Sequence, residues 1–278
     1  MDINIKGMID MGVAKMRRQK DLESKRAARQ LAERQVPFKY LLTVAYDGSN
    51  YGGYAKQKHK NTIQNVLEGV LKDVLGQPVA TTESSRTDAK VHALNQKTMF
   101  EWHQKLPVAK ILPQLHERLP GDILVKSMEL VPGEFHCRYE VANKTYEYTI
   151  AKSLDPRQNK YAWYVGKPLD ASLMGQVGQI LVGTHDFSTF KSAKATTDTS
   201  VRTIHFLEVE EWGDKITVRV NADGFLYNMV RLIVKALVDV GTKKQGPDYV
   251  EKLLKACAKP DNLESAPAQG LCLMEINY

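Results

Sequence analysis

The sequence predicts an α+β fold of antiparallel or mixed sheets backed by helices. Three observations predict it. Strand-like segments with one polar face recur, as in 215–222, where Ile216, Val218 and Val220 alternate with Thr217 and Arg219. Helical periodicity is interspersed among them rather than strictly alternating. No GxGxxG follows a strand and no GxxxxGK[ST] occurs, so neither a dinucleotide fold nor an NTPase is indicated. The 278 residues suit one large domain or two tightly joined ones.

Residues 8–35 read as a single polar, basic helix or as a disordered arm. They are rich in Ala, Arg, Gln, Glu and Lys, but the apolar stripe (Met16, Leu22, Ala27, Ala28, Leu31) is narrow. Pro37 closes this segment. The chain therefore divides into a basic extension, 1–37, and two halves, 38–150 and 151–278. Residues 38–46, FKYLLTVAY, are β-branched and aromatic and read as a strand, followed by the turn cluster Asp47-Gly48-Ser49-Asn50. Residues 62–75 place Ile63, Val66, Leu67, Val70, Leu71 and Val74 at helical spacing, with Gly76 as the stop. A strand is expected near 95–101, then a helix over 107–118 ended by Pro120-Gly121. Strands fit 122–130, 144–151, 203–212 and 215–222; helices fit 172–182, 228–240 and 247–258.

Composition narrows the function classes. Lys+Arg number 39 against Asp+Glu 32, a net charge of +7 that points weakly to an acidic partner such as nucleic acid. The extension alone holds nine of those cations and five of the acids, so it carries +4 and the body only +3. Contact between the body and RNA must then come from local grouping; the arm is either a solvated tail or laid along RNA phosphates. No apolar run reaches the length of a membrane span, and the N-terminus has no signal-like apolar core, so a cytoplasmic protein is expected. Cys137, Cys257 and Cys272 are too scattered for a disulfide framework or zinc site and read as small buried thiols.

The densest polar cluster is Glu83-Ser84-Ser85-Arg86-Thr87-Asp88-Ala89-Lys90-Val91-His92-Ala93. Short polar residues between regular elements indicate a loop presented by a scaffold. Asp88, two residues from Arg86, can stay ionised there and act as nucleophile or base, or the segment can be a turn with a local ion pair. Composition alone leaves both readings open.

Ser85 to Ala93 resembles the G-R-T-D-A-G-V-H-A signature of TruA-type tRNA pseudouridine synthases, matching it at seven of nine positions. Other segments resemble the same family in the same order. They are Tyr46-Asp47-Gly48-Ser49-Asn50-Tyr51-x-Gly53, Thr62-Ile63-Gln64, Phe135-His136-x-Arg138, and Lys144-Thr145-Tyr146-Glu147-Tyr148. Gly183-x-His185-Asp186-Phe187-Ser188-x-Phe190, Val201-Arg202-Thr203-Ile204, Gly224 to Arg231, Ala266-Pro267 and Gly270-Leu271 follow. The resemblance spans residues 38–278.

The resemblance implies two ferredoxin-like halves whose mainly antiparallel sheets join across a central basic cleft, with helices on the outer faces. It implies a homodimer that isomerises uridine to pseudouridine at positions 38 to 40 of the tRNA anticodon stem-loop, without cofactor, metal or membrane. It also implies roles. Asp88 falls on the catalytic aspartate, Arg86 on the arginine implicated in base flipping, Tyr146 on the tyrosine that stacks on uracil, and Arg231 on the arginine that pairs with the aspartate. Lys90, His92 and Tyr46 are expected to contact substrate; for His92 a structural role on the loop is the competing reading. Tyr148, Phe187, Phe190 and Phe225 are expected in the core, and Lys191 and Lys194 on phosphates or the solvated surface.

The chemistry suits these residue types. A carboxylate attacks C6 of the ring or C1′ of the ribose, so Asp88 must be charged, and a paired arginine favours the charged form, by about 1–3 pKa units. A base inside a stem must be extruded, and an aromatic platform recovers about 1–3 kcal/mol by stacking. The chain departs from the family pattern at Ser85 and Lys90, where the signature has glycine, and at Tyr54 and Ala55, where it has Trp-Gln. Those departures motivate an alternative, an inactive or retargeted RNA-binding paralogue. A carboxylate-pair glycosidase would need a second acid at a defined separation, and only Asp88 is marked.

Overall fold

A computed structural model describes residues 37–155, 157, 159–192, 199–258 and 263–278. The basic extension and Lys194 lie outside the described residues. The elements in chain order are β1 (Phe38–Tyr46), α1 (Ile63–Leu75), β2 (Thr81–Glu83), β3 (His92–Trp102), α2 (Val108–Arg118), β4 (Ile123–Val131), β5 (Asn143–Ala151) and β6 (Trp163–Tyr164). They continue with α3 (Ala171–Gly178), β7 (Gly183–Asp186), β8 (Val201–Trp212), β9 (Lys215–Ala222), α4 (Met229–Gly241), α5 (Tyr249–Ala256) and β10 (Leu271–Asn277). The fold is α+β, as the sequence predicts.

Local chemistry sets the boundaries. Thr62 caps α1, its hydroxyl accepting from Asn65 N at 3.3 Å, so the helix starts one residue after the expected position. Ile63, Leu67 and Leu71 form its buried stripe, and Gly76, at φ 77°, ends it in the left-handed conformation. The expected helix over 172–182 is shorter: α3 ends at Gly178 and a single 3-10 turn continues to Leu181.

The strands form one sheet in the order β4-β1-β3-β10-β5-β9-β8-β7, with β2 beside β3 and β6 beside β5. One continuous sheet stands where two joined sheets were expected, and β10, which sequence reasoning did not find, lies between β3 and β5. β10 runs parallel to β3 through only two pairs, Cys272↔His92 and Leu273↔Ala93, and antiparallel to β5 along its length. Residues paired across the sheet share a face. Ala93, Leu273, Tyr146, Val220 and Leu207 therefore lie in one row on one face. That face carries the main core, which Leu67, Leu115, Met174, Leu237 and Leu253 of the five helices also enter. α2 packs against β4 and α3 against β8, and Ala93, Leu273 and Tyr146 in the middle of the row are buried as well.

Among the described residues no helix is long and apolar enough to cross a membrane. The three cysteines are free; Cys137 is buried, Cys272 is half-buried and Cys257, against expectation, is exposed.

Leu273 is wholly buried where the two sides of the sheet meet. Leu273→Ala is expected to cost about 2–5 kcal/mol in urea unfolding. Leu130→Ala, on β4 and half exposed, should stay within about 0.5 kcal/mol of the parent.

Candidate active site

Beside the middle strands lies a cleft of about 1040 Å³. The loop between β2 and β3, the start of β5 and the start of α4 line it, together with residues of the 52–60 loop, Arg138 and Tyr139, the start of β8 and Leu271.

The β2–β3 loop carries Asp88. Two glycines let the chain pack against it. A Cβ on Gly53, at φ 109°, would sit 2.8 Å from Thr87 O and 3.2 Å from Ala89 N. A Cβ on Gly48 would sit 2.0 Å from Val91 O. The close approach is used: Tyr54 N donates to Thr87 O at 3.1 Å, and Gly48 N donates to Nδ1 of His92 at 3.1 Å. From inside, the Tyr46 hydroxyl meets Thr87 Oγ1 at 2.7 Å and Gln96 Nε2 donates to Ser85 O at 2.6 Å. The loop is fixed at both ends and from below.

Asp88 faces Arg231 of α4, with Nη1 donating to Oδ2 at 3.4 Å. Arg231 is itself held: Nε donates to Ala266 O at 2.7 Å, Nη1 to Asn228 Oδ1 at 2.9 Å, and Nη2 to Ser265 Oγ at 3.0 Å. The Ala266-Pro267 motif thus anchors the arginine, and Pro267 O accepts the Tyr148 hydroxyl at 2.7 Å. Burial pushes the Asp88 carboxyl up from its ordinary value, and the charge and hydrogen bond of Arg231 pull back without cancelling the rise. The expected net lowering by an arginine partner is therefore corrected: one pair at 3.4 Å does not replace the water lost.

Tyr146, on β5, points into the same cleft. Its hydroxyl lies 3.0 Å from Ser85 Oγ and its ring meets Phe225 edge-on, centroids 5.2 Å apart. Burial, with the Asp88 charge adding to it, raises the phenol well above its ordinary pKa despite the Ser85 hydrogen bond, so it stays protonated at neutral pH. Phe225 is half-buried and lines the cleft, correcting its expected place in the core, whereas Phe187, Phe190 and Tyr148 are wholly buried as expected.

The remaining expected site residues are placed differently. Arg86 lines the cleft but pairs with Glu83, Nε to Oε1 at 2.8 Å, rather than with Asp88. Lys90 is exposed, outside the residues lining the cleft, and adopts φ 66°, the left-handed conformation its glycine counterpart would hold freely. Tyr46 is buried behind the loop. His92, paired with Cys272, lies on the opposite face of the sheet, lining a hollow of about 390 Å³ with Leu94, Leu124 and Cys272. Burial lowers its pKa against the pull of Asp47. Lys191 donates to Ser200 Oγ at 2.7 Å.

Sequence reasoning assigned no role to Arg138, Lys144 or Arg202, although each stood in a quoted motif. They converge on the cleft with Lys60, Arg86 and Arg231, against the carboxylates Glu83 and Asp88. Lys144 Nζ donates to Ser84 O at 2.8 Å, and burial, followed by the charge of Arg138, pushes its ammonium down to about 8. The arrangement offers a carboxylate, a neutral phenol and a polyanion-attracting wall. Among the described residues no group of His, Cys, Asp and Glu gathers that could hold a metal ion.

Comparison with known proteins matches residues 42–140 and 178–278 to the tRNA pseudouridine synthase family. The tRNA pseudouridine synthase A of Brevibacillus brevis is 39% identical over 237 residues, 84% of this chain and 97% of that protein. That of an Exiguobacterium species is 41% identical over 237 residues, 85% of this chain and 96% of that protein. The tRNA pseudouridine synthase A 2 of Clostridium perfringens is 39% identical over 239 residues, 85% and 98% of the respective chains. Among solved structures, an H/ACA RNP bound to a substrate RNA containing 2'-deoxyuridine matches with a TM-score of 0.31 and 14% identity, covering 72% of this chain and 44% of that one.

Gly53 and Gly69 make a controlled comparison, because a Cβ on Gly69, inside α1, meets nothing within 4 Å. Gly53→Ala is expected to lower stability by about 1–3 kcal/mol through backbone strain and contact with Thr87. Gly69→Ala should raise it by about 0.5–1 kcal/mol. Urea unfolding of both variants checks the pair.

Proposed function

The chain belongs to the tRNA pseudouridine synthase family, whose members isomerise uridine to pseudouridine, and we propose that Asp88 is its nucleophile and the tRNA anticodon stem-loop, at positions 38 to 40, its target. The observation that carries this reading is the convergence of Asp88, Tyr146 and Arg231 in one basic cleft.

The reaction breaks the N1–C1′ bond and forms C5–C1′; the proton on C5 leaves and N1 gains one. A carboxylate oxygen of Asp88 bonds transiently to C6 or to C1′ while the base turns. Arg231 keeps the carboxylate ionised and aimed, against a burial that would neutralise it. A raised pKa makes the anion more basic and a better nucleophile, provided it stays below working pH. The ring of Tyr146, backed by Phe225, is a platform for the extruded uracil. Arg86, exposed on the loop, reaches toward the space the base vacates, and the surrounding cations meet phosphates. Lys90 at the rim adds a phosphate contact, while Tyr46 and His92 support the loop that meets substrate. Ser85, one of the departures from the family pattern, holds the phenol of Tyr146 through its hydroxyl.

A homodimer completes the proposal: one subunit holds the tRNA body while the other's Asp88 reacts. On the sheet face opposite the helices Leu94 and Leu124 are 50% and 48% exposed, and that part of the face suits a second copy. A cytoplasmic location fits a tRNA substrate.

Carbodiimide–primer-extension mapping of tRNA from a modification-deficient source is expected to show new stops in the anticodon stem-loop. Asp88→Asn should abolish them while tRNA binding persists; undiminished conversion by that variant would sink the assignment. Because the folded protein favours the protonated form of Asp88, ionisation lowers stability as pH rises through its pKa. Asp88→Asn is therefore expected to melt no lower than the parent at neutral pH. Activity should fall on the acid side at a pH above the ordinary aspartate value of about 3.9, and Arg231→Ala should move that limb to higher pH. Sedimentation should give twice the mass of one chain.

A further inference from the structure

Glu83 is a buried carboxylate for which uridine isomerisation has no direct use. It ends β2, and its side chain is 5% exposed. A single oxygen, Oε1, accepts from Arg86 Nε at 2.8 Å and from Arg138 Nη2 at 2.5 Å. Arg138 Nε donates in addition to the Glu83 carbonyl at 3.3 Å. Arg138 is thus tied to both the backbone and the side chain of one residue.

Arg86 is tied differently. Its side chain is 70% exposed, yet Nε is fixed, and among the described residues no further hydrogen bond holds Nη1 or Nη2. A guanidinium anchored at Nε keeps its outer edge free and its plane set, which is the geometry needed to enter a base stack or fork onto a phosphate.

The location makes this carboxylate costly. Lys60, Arg138, Lys144, Arg202 and Arg231 line the same cleft, and a polyanion entering it is repelled by every carboxylate present. Asp88 has a chemical reason to be there. Glu83 opposes RNA binding; it favours the charge on the buried Lys144 and orients two arginines, of which Arg86 alone projects from the Asp88 loop.

Resting on the reading that this cleft isomerises uridine, we propose that Glu83 is a positioning residue that aims the Arg86 guanidinium at the extruded nucleotide, at the expense of affinity for tRNA. Catalysis and binding should then respond in opposite directions when the charge is removed. Glu83→Gln preserves shape and one acceptor oxygen. It is expected to lower kcat by about 10- to 100-fold, the effect of a misdirected group. It should tighten tRNA binding severalfold, with the slope of log Kd against log salt steeper by about 1. In an Arg86→Ala background the same substitution should leave kcat within about twofold of that single variant, because the aim of an absent side chain no longer matters. Glu83→Asp, which keeps the charge but withdraws it by one methylene, should lose kcat with the salt slope unchanged, and serves if the glutamine variant folds poorly.

A purely structural role predicts otherwise: weaker binding, a lower Tm, and the same loss of kcat with or without Arg86. That pattern overturns the proposal, as does an active wild type whose turnover Glu83→Gln leaves unchanged. A wild-type chain that forms no pseudouridine in any tRNA sinks the functional reading and this inference with it.

Discussion

The ion pair between Asp88 and Arg231 sets the terms for everything around it. The two residues lie 143 positions apart in the chain, and the pair forms only if both arrive. Partial burial makes the charged carboxylate less favourable, and a single guanidinium at 3.4 Å only partly makes up the loss. The protein responds by immobilising the guanidinium, with Ala266, Ser265 and Asn228 taking its other donors. A loose arginine would spend its time in solvent and leave the carboxyl to protonate. Burial raises the Asp88 pKa, and the immobilised guanidinium limits that rise.

Rigidity of the loop follows the same logic. Its backbone is pinned by Tyr54 and Tyr51, its far end by Gly48 on the His92 ring, its interior by Tyr46 and Gln96, and its edge by Ser85 on Tyr146. Glycine at 48 and 53 is dictated by neighbouring backbone atoms rather than by any role in chemistry. Lys90 holds a left-handed conformation where glycine would be relaxed, a local strain of the kind that persists only where its surroundings over-determine it.

Regular elements with a clean period were legible in the sequence. β1 and β9 occupy the expected residues, and α1 differs by its cap. β2, β6 and β7, two to four residues long, are below the reach of any periodicity. β10 was missed because its register shifts between Leu273 and Glu275, which breaks the alternation that marks a half-buried strand. At the site, Asp88, Tyr146 and Arg231 could be read from motif resemblance, and the structure brings them together. The resemblance also implied that Arg231 pairs with Asp88, as it does, whereas the partner of Arg86, which turns to Glu83, could not be read. The placement of His92 behind the sheet was equally hidden, because a face is assigned by pairing with β10, a strand the sequence did not reveal.

That narrow seam has a consequence for assembly. Ala93 and Leu273 are brought side by side from positions nearly two hundred residues apart, and contacts of such long range form late because the intervening chain must first be ordered. The placement of the β2–β3 loop beside Tyr146 of β5 runs through that two-pair link, so the site is complete only once this long-range pairing is made.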